Sequence, residues 1–207
     1  MLHYETIAPE TLSLLEKLQA LPELAETRLV GGTALALQLG HRISIDLDLF
    51  GSWNDDVEFK ALLSSVGHAE KSSSSANGKM QFYYIDDVKV DCVTYDMYPW
   101  LAPAVEERGL RLADVSDIAA MKINAITNRG TRKDFVDLFF LLKRISFPDM
   151  MELYQCKYPD ANPVLALRSL VYFVDAEAQP MPKMLVPFEW TECKDVVTDN
   201  VRRFIVS

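Results

Sequence analysis

The segment Ser44-Ile45-Asp46-Leu47-Asp48-Leu49-Phe50 alternates apolar and acidic residues with a period of two. A β-strand sends successive side chains to opposite faces, so Ile45, Leu47 and Leu49 share one face and Asp46 and Asp48 the other. Such a strand needs a core against its aliphatic side and access on its acidic side, which restricts the chain to folds with a sheet packed on one face. Gly51-Ser52 ends the strand.

A second acid belongs to the same pattern. Met80 to Ile85 and Val88 to Tyr95 predict a hairpin across the turn Asp86-Asp87. In its second strand Val88, Val90 and Cys92 point one way, and Lys89, Asp91 and Val93 the other. If that strand lies beside the acidic one and faces the same way, Asp46, Asp48 and Asp91 converge. Three carboxylates repel one another unless protonated, solvated or neutralised, and hard oxygen ligands are what magnesium prefers. Mg2+ is therefore the inferred partner. The same acids also suit the solvated face of a half-packed sheet, and convergence separates the two readings.

Around these strands, Leu14, Leu15, Leu18 and Leu21 predict an opening amphipathic helix bracketed by Pro9 and Pro22. Arg28-Leu29-Val30 reads as a short strand, followed by a Gly31-Gly32 turn and a helix stopped by Gly40. After Gly51, Asn54 or Ser52 is expected to cap a helix containing Val57, Phe59, Leu62, Leu63 and Val66. Asp55, Asp56 and Glu58 lie near its N-terminus. Residues 71–79 read as a mobile turn between strands. Beyond Pro99 and Pro103 the chain turns helical, with Asp114 as an N-cap and Asp117 as its capping-box partner. Further helices are expected at about 132–142, around Leu153 and over 165–174, while the last twenty residues carry no clear pattern. The fold class is α+β: a small mixed-sheet core over 1–100, then a helical region over 101–207 that completes a cleft.

Composition excludes several classes. With 49% hydrophobic and 25% charged residues the chain is globular, not disordered. A formal charge of -9 argues against nucleic-acid binding through the overall field, so any such contact must be local. Cys92, Cys156 and Cys193 form neither a disulfide framework nor a zinc pattern, which suits a reducing compartment. There is no run of eighteen apolar residues and no basic, then apolar leader, so no membrane role is expected and the cytoplasm is the expected location.

Gly31-Gly32-Thr33 at a helix start brings free amides, and the Thr33 hydroxyl, within reach of a phosphate. The run matches neither the dinucleotide-binding nor the P-loop glycine pattern. Lys122 and Arg129 share a helix face, and Lys133, Asp134 and Asp137 surround the next helix start, with Asp137 one turn from Lys133 and able to orient it. These cations suit a triphosphate, and surface salt bridges are the alternative use. His41 and Arg42 can reach a phosphate or, through an Arg-carboxylate contact, fix their turn. Tyr83, Tyr84 and Tyr95 suit cross-strand packing or base stacking, with packing preferred.

Taken together, Val30-Gly31-Gly32-Thr33, the run from Leu39 to Phe50, Val90-Asp91, Lys122-Ile123-Asn124-Ala125, Arg129, Lys133-Asp134 and Asp137-Leu138 resemble the AbiEii/AbiGii toxin family. That family is a branch of the DNA polymerase β-type nucleotidyltransferases, and the likeness spans roughly residues 25 to 145. The chain is short for the family, with about sixty residues after the last shared motif. The resemblance implies that Asp46 and Asp48 hold metal and that Asp91 is the third acid, helping to activate an acceptor hydroxyl. It gives Gly31, Gly32 and Thr33 to the nucleotide phosphates, and Lys122, Lys133 and Asp134 to the later nucleotide-site motif, with Asp137 supporting it. Lys122, Arg129 and Lys133 would offset charge on the triphosphate, and two Mg2+ ions would bridge an NTP to the aspartates. The implied partners are an NTP, a hydroxyl acceptor such as transfer RNA, and a cognate antitoxin. The alternatives are a catalytically weak nucleotide- or protein-binding module and a small-molecule nucleotidyltransferase.

Overall fold

The second half of the alternating acidic segment, from Leu47, becomes a central strand, while Ser44, Ile45 and Asp46 precede it and Ile45, expected on the packed face, is exposed. In the computed structural model, which describes residues 1–53, 58–76 and 78–206, β1 (Thr27–Val30) and β2 (Leu47–Gly51) pair antiparallel. On its other side β2 pairs parallel with β5 (Val88–Thr94). With β3 (Ala69–Ser74), β4 (Met80–Ile85), β6 (Val105–Glu107) and β7 (Leu110–Leu112), these make one mixed sheet of order β3-β4-β5-β2-β1-β7-β6.

The period-two pattern decides which face is packed. Leu47, Leu49, Val90, Cys92, Tyr83 and Ile85 enter the core, while the residues between them stay at least partly accessible. The β4–β5 turn holds Asp86 and Asp87 at φ of 46° and 66°, the left-handed geometry of a two-residue hairpin that short acidic side chains tolerate.

Helices α1 (Pro9–Ala20) and α2 (Gly31–Leu39) flank the first strands, and α3 (Phe59–Ser64) precedes β3. The expected cap Asn54, and Asp55, Asp56 and Val57, lie outside the described residues. A helical layer follows: α4 (Val115–Asn128), α5 (Arg132–Leu141), α6 (Phe147–Lys157), α7 (Pro163–Leu170), α8 (Val174–Glu177) and α9 (Trp190–Val206). Because β7 pairs with β1, the sheet carries on past residue 100 and the helical layer begins at α4. Among the described residues no helix is long and apolar enough to cross a membrane.

Three local expectations are corrected. Residues 71–74 are not turn but part of β3, held by the ladder to β4 with a bulge between Lys71 and Ser73. Their side chains are exposed, so no apolar alternation marks them. Asp114 caps α4 by accepting from the Ser116 amide, but Asp117 is no capping-box partner. It turns into the core, accepts from the Leu101 and Ala102 amides and pairs with buried Lys157 at 2.6 Å. The patternless C-terminus is α9, which buries Cys193, Val197 and Val201, one residue per turn and too sparse to read in advance.

Candidate active site

Register places two of the acids side by side: Asp48 on β2 stands opposite Asp91 on the parallel β5, and on its other flank opposite Val30, the last residue of β1. Asp46 lies just before β2. Asp91 accepts from Lys89 Nζ at 2.6 Å through Oδ2, while its buried Oδ1 has no hydrogen-bond partner. Asp46 Oδ2 lies 3.3 Å from Lys133 Nζ. Asp48 is pushed up to about 6, first by burial and then by the charge of Asp91, with Asp46 adding to it and Lys89 and Lys122 opposing. Among the described residues no three His, Cys, Asp or Glu side chains are placed to hold a metal ion as they stand, so the expected convergence of Asp46, Asp48 and Asp91 on one point is not met. The three acids share a cleft, but Asp46 and Asp91 each lean on a lysine.

The chain leaves β1 beside Asp48 and enters α2 through Gly31, whose φ is 68°. A Cβ on Gly31 would collide with Asp48 Oδ2, and one on Gly32 with Arg42 Nη2. Both glycines are therefore required by close approach, and Gly31 also by its left-handed backbone. Helix α2 has no side-chain N-cap. Its Thr33 hydroxyl is buried and bonded to the Ser44 hydroxyl and the Asp46 carbonyl, which ties the start of α2 to the acidic segment.

Behind the acids sits a buried ion-pair network whose one open polar atom, among the described residues, is His41 Nδ1. Arg42 grips Asp137 through Nε at 2.7 Å and Nη2 at 2.9 Å, and His41 Nε2 lies 2.8 Å from the same carboxylate. Lys122 Nζ bridges Asp137 Oδ2 at 2.5 Å and Asp134 Oδ1 at 3.0 Å. Asp134 also accepts from Arg129 Nε at 3.0 Å and from the Thr131 hydroxyl at 2.5 Å. Burial alone would raise both acids. Lys122 with Arg42 holds Asp137 well below the usual carboxylate range, and Lys122 with Arg129 does the same for Asp134. Lys122, Arg42 and Arg129 carry three positive charges against two from Asp134 and Asp137, so the network is net cationic with His41 neutral. Burial is the main cause that lowers the His41 ring and favours that neutral form.

One cleft is lined by Gly31, Gly32 and Thr33, by Asp46, Asp48 and Asp91, and by Lys122, Arg129 and Lys133. Arg42, Ser44 and Lys89 complete it. The structure thus gathers every expected site residue except Asp134 and Asp137, which are fully buried and reach the cleft only through the cations they hold. Asp137 does not orient Lys133. The two are one helical turn apart, but Asp137 faces inward to its cations and Lys133 outward to Asp46. Of the two uses open to Arg42, the structure takes the carboxylate contact. Lys89 was missed as a site residue, although sharing Asp91's strand face was the signal for it.

The chain is 29% identical over 196 residues to the uncharacterized protein aq_aa25 of Aquifex aeolicus (strain VF5), covering 92% of this chain and 94% of that one. The crystal structure of JHP933 from Helicobacter pylori superposes with a TM-score of 0.57 at 17% identity, covering 95% and 92% of the two chains. A second H. pylori chain, named as a candidate nucleotidyltransferase, gives a TM-score of 0.57 at 17% identity and 95% coverage of each. These likenesses show a shared fold. A family model described as "Nucleotidyl transferase AbiEii toxin, Type IV TA system" matches residues 13–200. The chain belongs to the AbiEii nucleotidyl transferase toxin family.

Proposed function

We propose that this chain transfers a nucleoside monophosphate from an NTP to a hydroxyl acceptor, in the cytoplasm, as the toxin-like member of a pair with a cognate antitoxin. One observation carries the reading: Asp48 and Asp91 are adjacent in register, and the uncapped start of α2 is packed against Asp48.

The acids fit a hard divalent cation. The donors are all carboxylate oxygens, Asp91 Oδ1 lacks a partner, and Asp48 is held above the ordinary carboxylate range by burial and then by the charge of Asp91. Asp46, Asp48 and Asp91 would hold one or two Mg2+ ions, which when bound supply charge neutralisation at the reacting phosphate and acidify an acceptor hydroxyl. The remaining work falls to the chain. Amides at Gly31 and Gly32 bind phosphate oxygens at a positive helix end. The acceptor oxygen bonds to the α-phosphorus as the bond to the β-phosphate oxygen breaks, and Asp91 takes the hydroxyl proton. Lys122, Arg129 and Lys133 offset charge on the departing pyrophosphate, with Asp134 and Asp137 as positioning residues. Residues 1–100 contribute the acids and glycines with Arg42 and Lys89, and residues 101–207 contribute Lys122, Arg129 and Lys133.

The test is transfer of label from α-phosphate-labelled NTPs to an RNA pool with Mg2+. Wild type labels RNA, and Asp48→Asn loses the activity by on the order of a hundredfold or more. Undiminished transfer by the variant overturns the mechanism. A binding module without turnover draws support from the Lys133–Asp46 and Lys89–Asp91 pairs, which neutralise two of the acids unaided. Under that reading wild type binds NTP and labels nothing.

A further inference from the structure

Asp91 has a crowded side and an open one. Toward β2 and β1 it meets the glycine turn, with the cations of α4 and α5 beyond. Toward β4 it meets only sheet: Phe82 pairs with Asp91, Tyr84 with Lys89 and Met80 with Val93. Tyr83 and Ile85 go into the core, so alternation puts Met80, Phe82 and Tyr84 on the face that bears Asp91 and Lys89. Tyr84 is 46% exposed and Met80 41%, and among the described residues none of the three belongs to the packed core. Beyond them on β3 the same face carries Glu70 and Ser73, so the apolar strip is one strand wide.

We propose that this strip is the acceptor platform. Phe82 and Tyr84 stack the last bases of a single-stranded nucleic acid, with Lys89 on its phosphate and its terminal hydroxyl delivered to Asp91. The two rings stand two residues apart on one strand, roughly 7 Å, which suits splayed bases that each lie on a separate ring. With a net charge of -9, stacking plus one local cation is the mode of binding this surface offers, and a duplex tracked through its phosphates is not. The transfer step rests on the function proposed above, whereas the binding does not.

The test is fluorescence anisotropy with a labelled single-stranded oligoribonucleotide in the absence of NTP. Tyr84→Ser is expected to weaken binding roughly tenfold, Phe82→Ser comparably, and Tyr84→Phe to retain it. In turnover Tyr84→Ser raises KM for the RNA acceptor and leaves KM for NTP unchanged. Tyr84 is exposed, and an unchanged Tm confirms that its variant folds. Binding within twofold of wild type for Tyr84→Ser overturns the proposal. So does equal affinity for a duplex of the same sequence, or labelling by wild type of proteins or small molecules only. Tyr84-dependent binding without any transfer upholds the platform and defeats the transferase reading, while RNA transfer indifferent to Tyr84 does the reverse.

Discussion

Two groups of aspartates lie within the same cleft region and experience opposite electrostatics. Asp134 and Asp137 are buried completely, yet each is gripped by two or more donors and held below the usual carboxylate range. Asp48 and Asp91 lack that grip: burial, then the charge of Asp91, pushes Asp48 up, and Asp91 leaves a buried oxygen unpaired. Burial therefore does not sort these acids; the count of cations within reach does. The first pair is finished as scaffold and fixes Lys122 and Arg129. The second is left short of positive charge where a triphosphate and its cation would enter.

The largest effect should come from breaking the finished pair. Asp137→Ala leaves Arg42 and Lys122 buried without their shared partner, and should cost about 3–5 kcal/mol in urea unfolding. A loss under about 1 kcal/mol would mean that the network is not holding these cations. The opposite sign is expected at Asp48. Its folded value of about 6 lies above the ordinary 3.8, so ionising it opposes folding. The protonated form's stability is fully present below about 3.8 and lost as pH rises through about 6. Asp48→Asn, in chelator at pH 7.5, should therefore gain about 2–3 kcal/mol, and the gain should shrink as pH falls from 7 toward 4. No gain at pH 7.5 would remove the contrast between the groups. The smallest effect belongs to Lys133→Gln. Lys133 and Asp46 are both solvent-accessible, so thermal unfolding should register a change below about 1 kcal/mol, while KM for NTP rises.

What could be read in advance follows the strength of the local pattern. Period-two alternation exposed Asp46, Asp48 and Asp91 because apolar neighbours frame each of them, and the Asp86-Asp87 turn fits the paired strands on either side. The glycine pair stood out too, but the reason for it, two side chains that occupy the space of a Cβ, depends on Asp48 and Arg42 arriving from later in the chain. Choices between partners were not written locally. Asp117 stands at the right spacing for a capping box and Asp137 at the right spacing for Lys133, yet burial beside Lys157 and beside Arg42 with Lys122 outweighs a one-turn contact in each case. Exposed β3 and sparse α9 lack the contrast that periodicity requires.

The second group of acids is proposed as a cation site. Electron paramagnetic resonance of Mn2+, with and without a non-hydrolysable NTP analogue, tests it without turnover. Wild type should deplete the free Mn2+ signal, more strongly with the analogue, and Asp48→Asn and Asp91→Asn should each abolish the depletion while remaining folded. Equal Mn2+ binding by wild type and both variants, or none by wild type in either condition, would contradict the account.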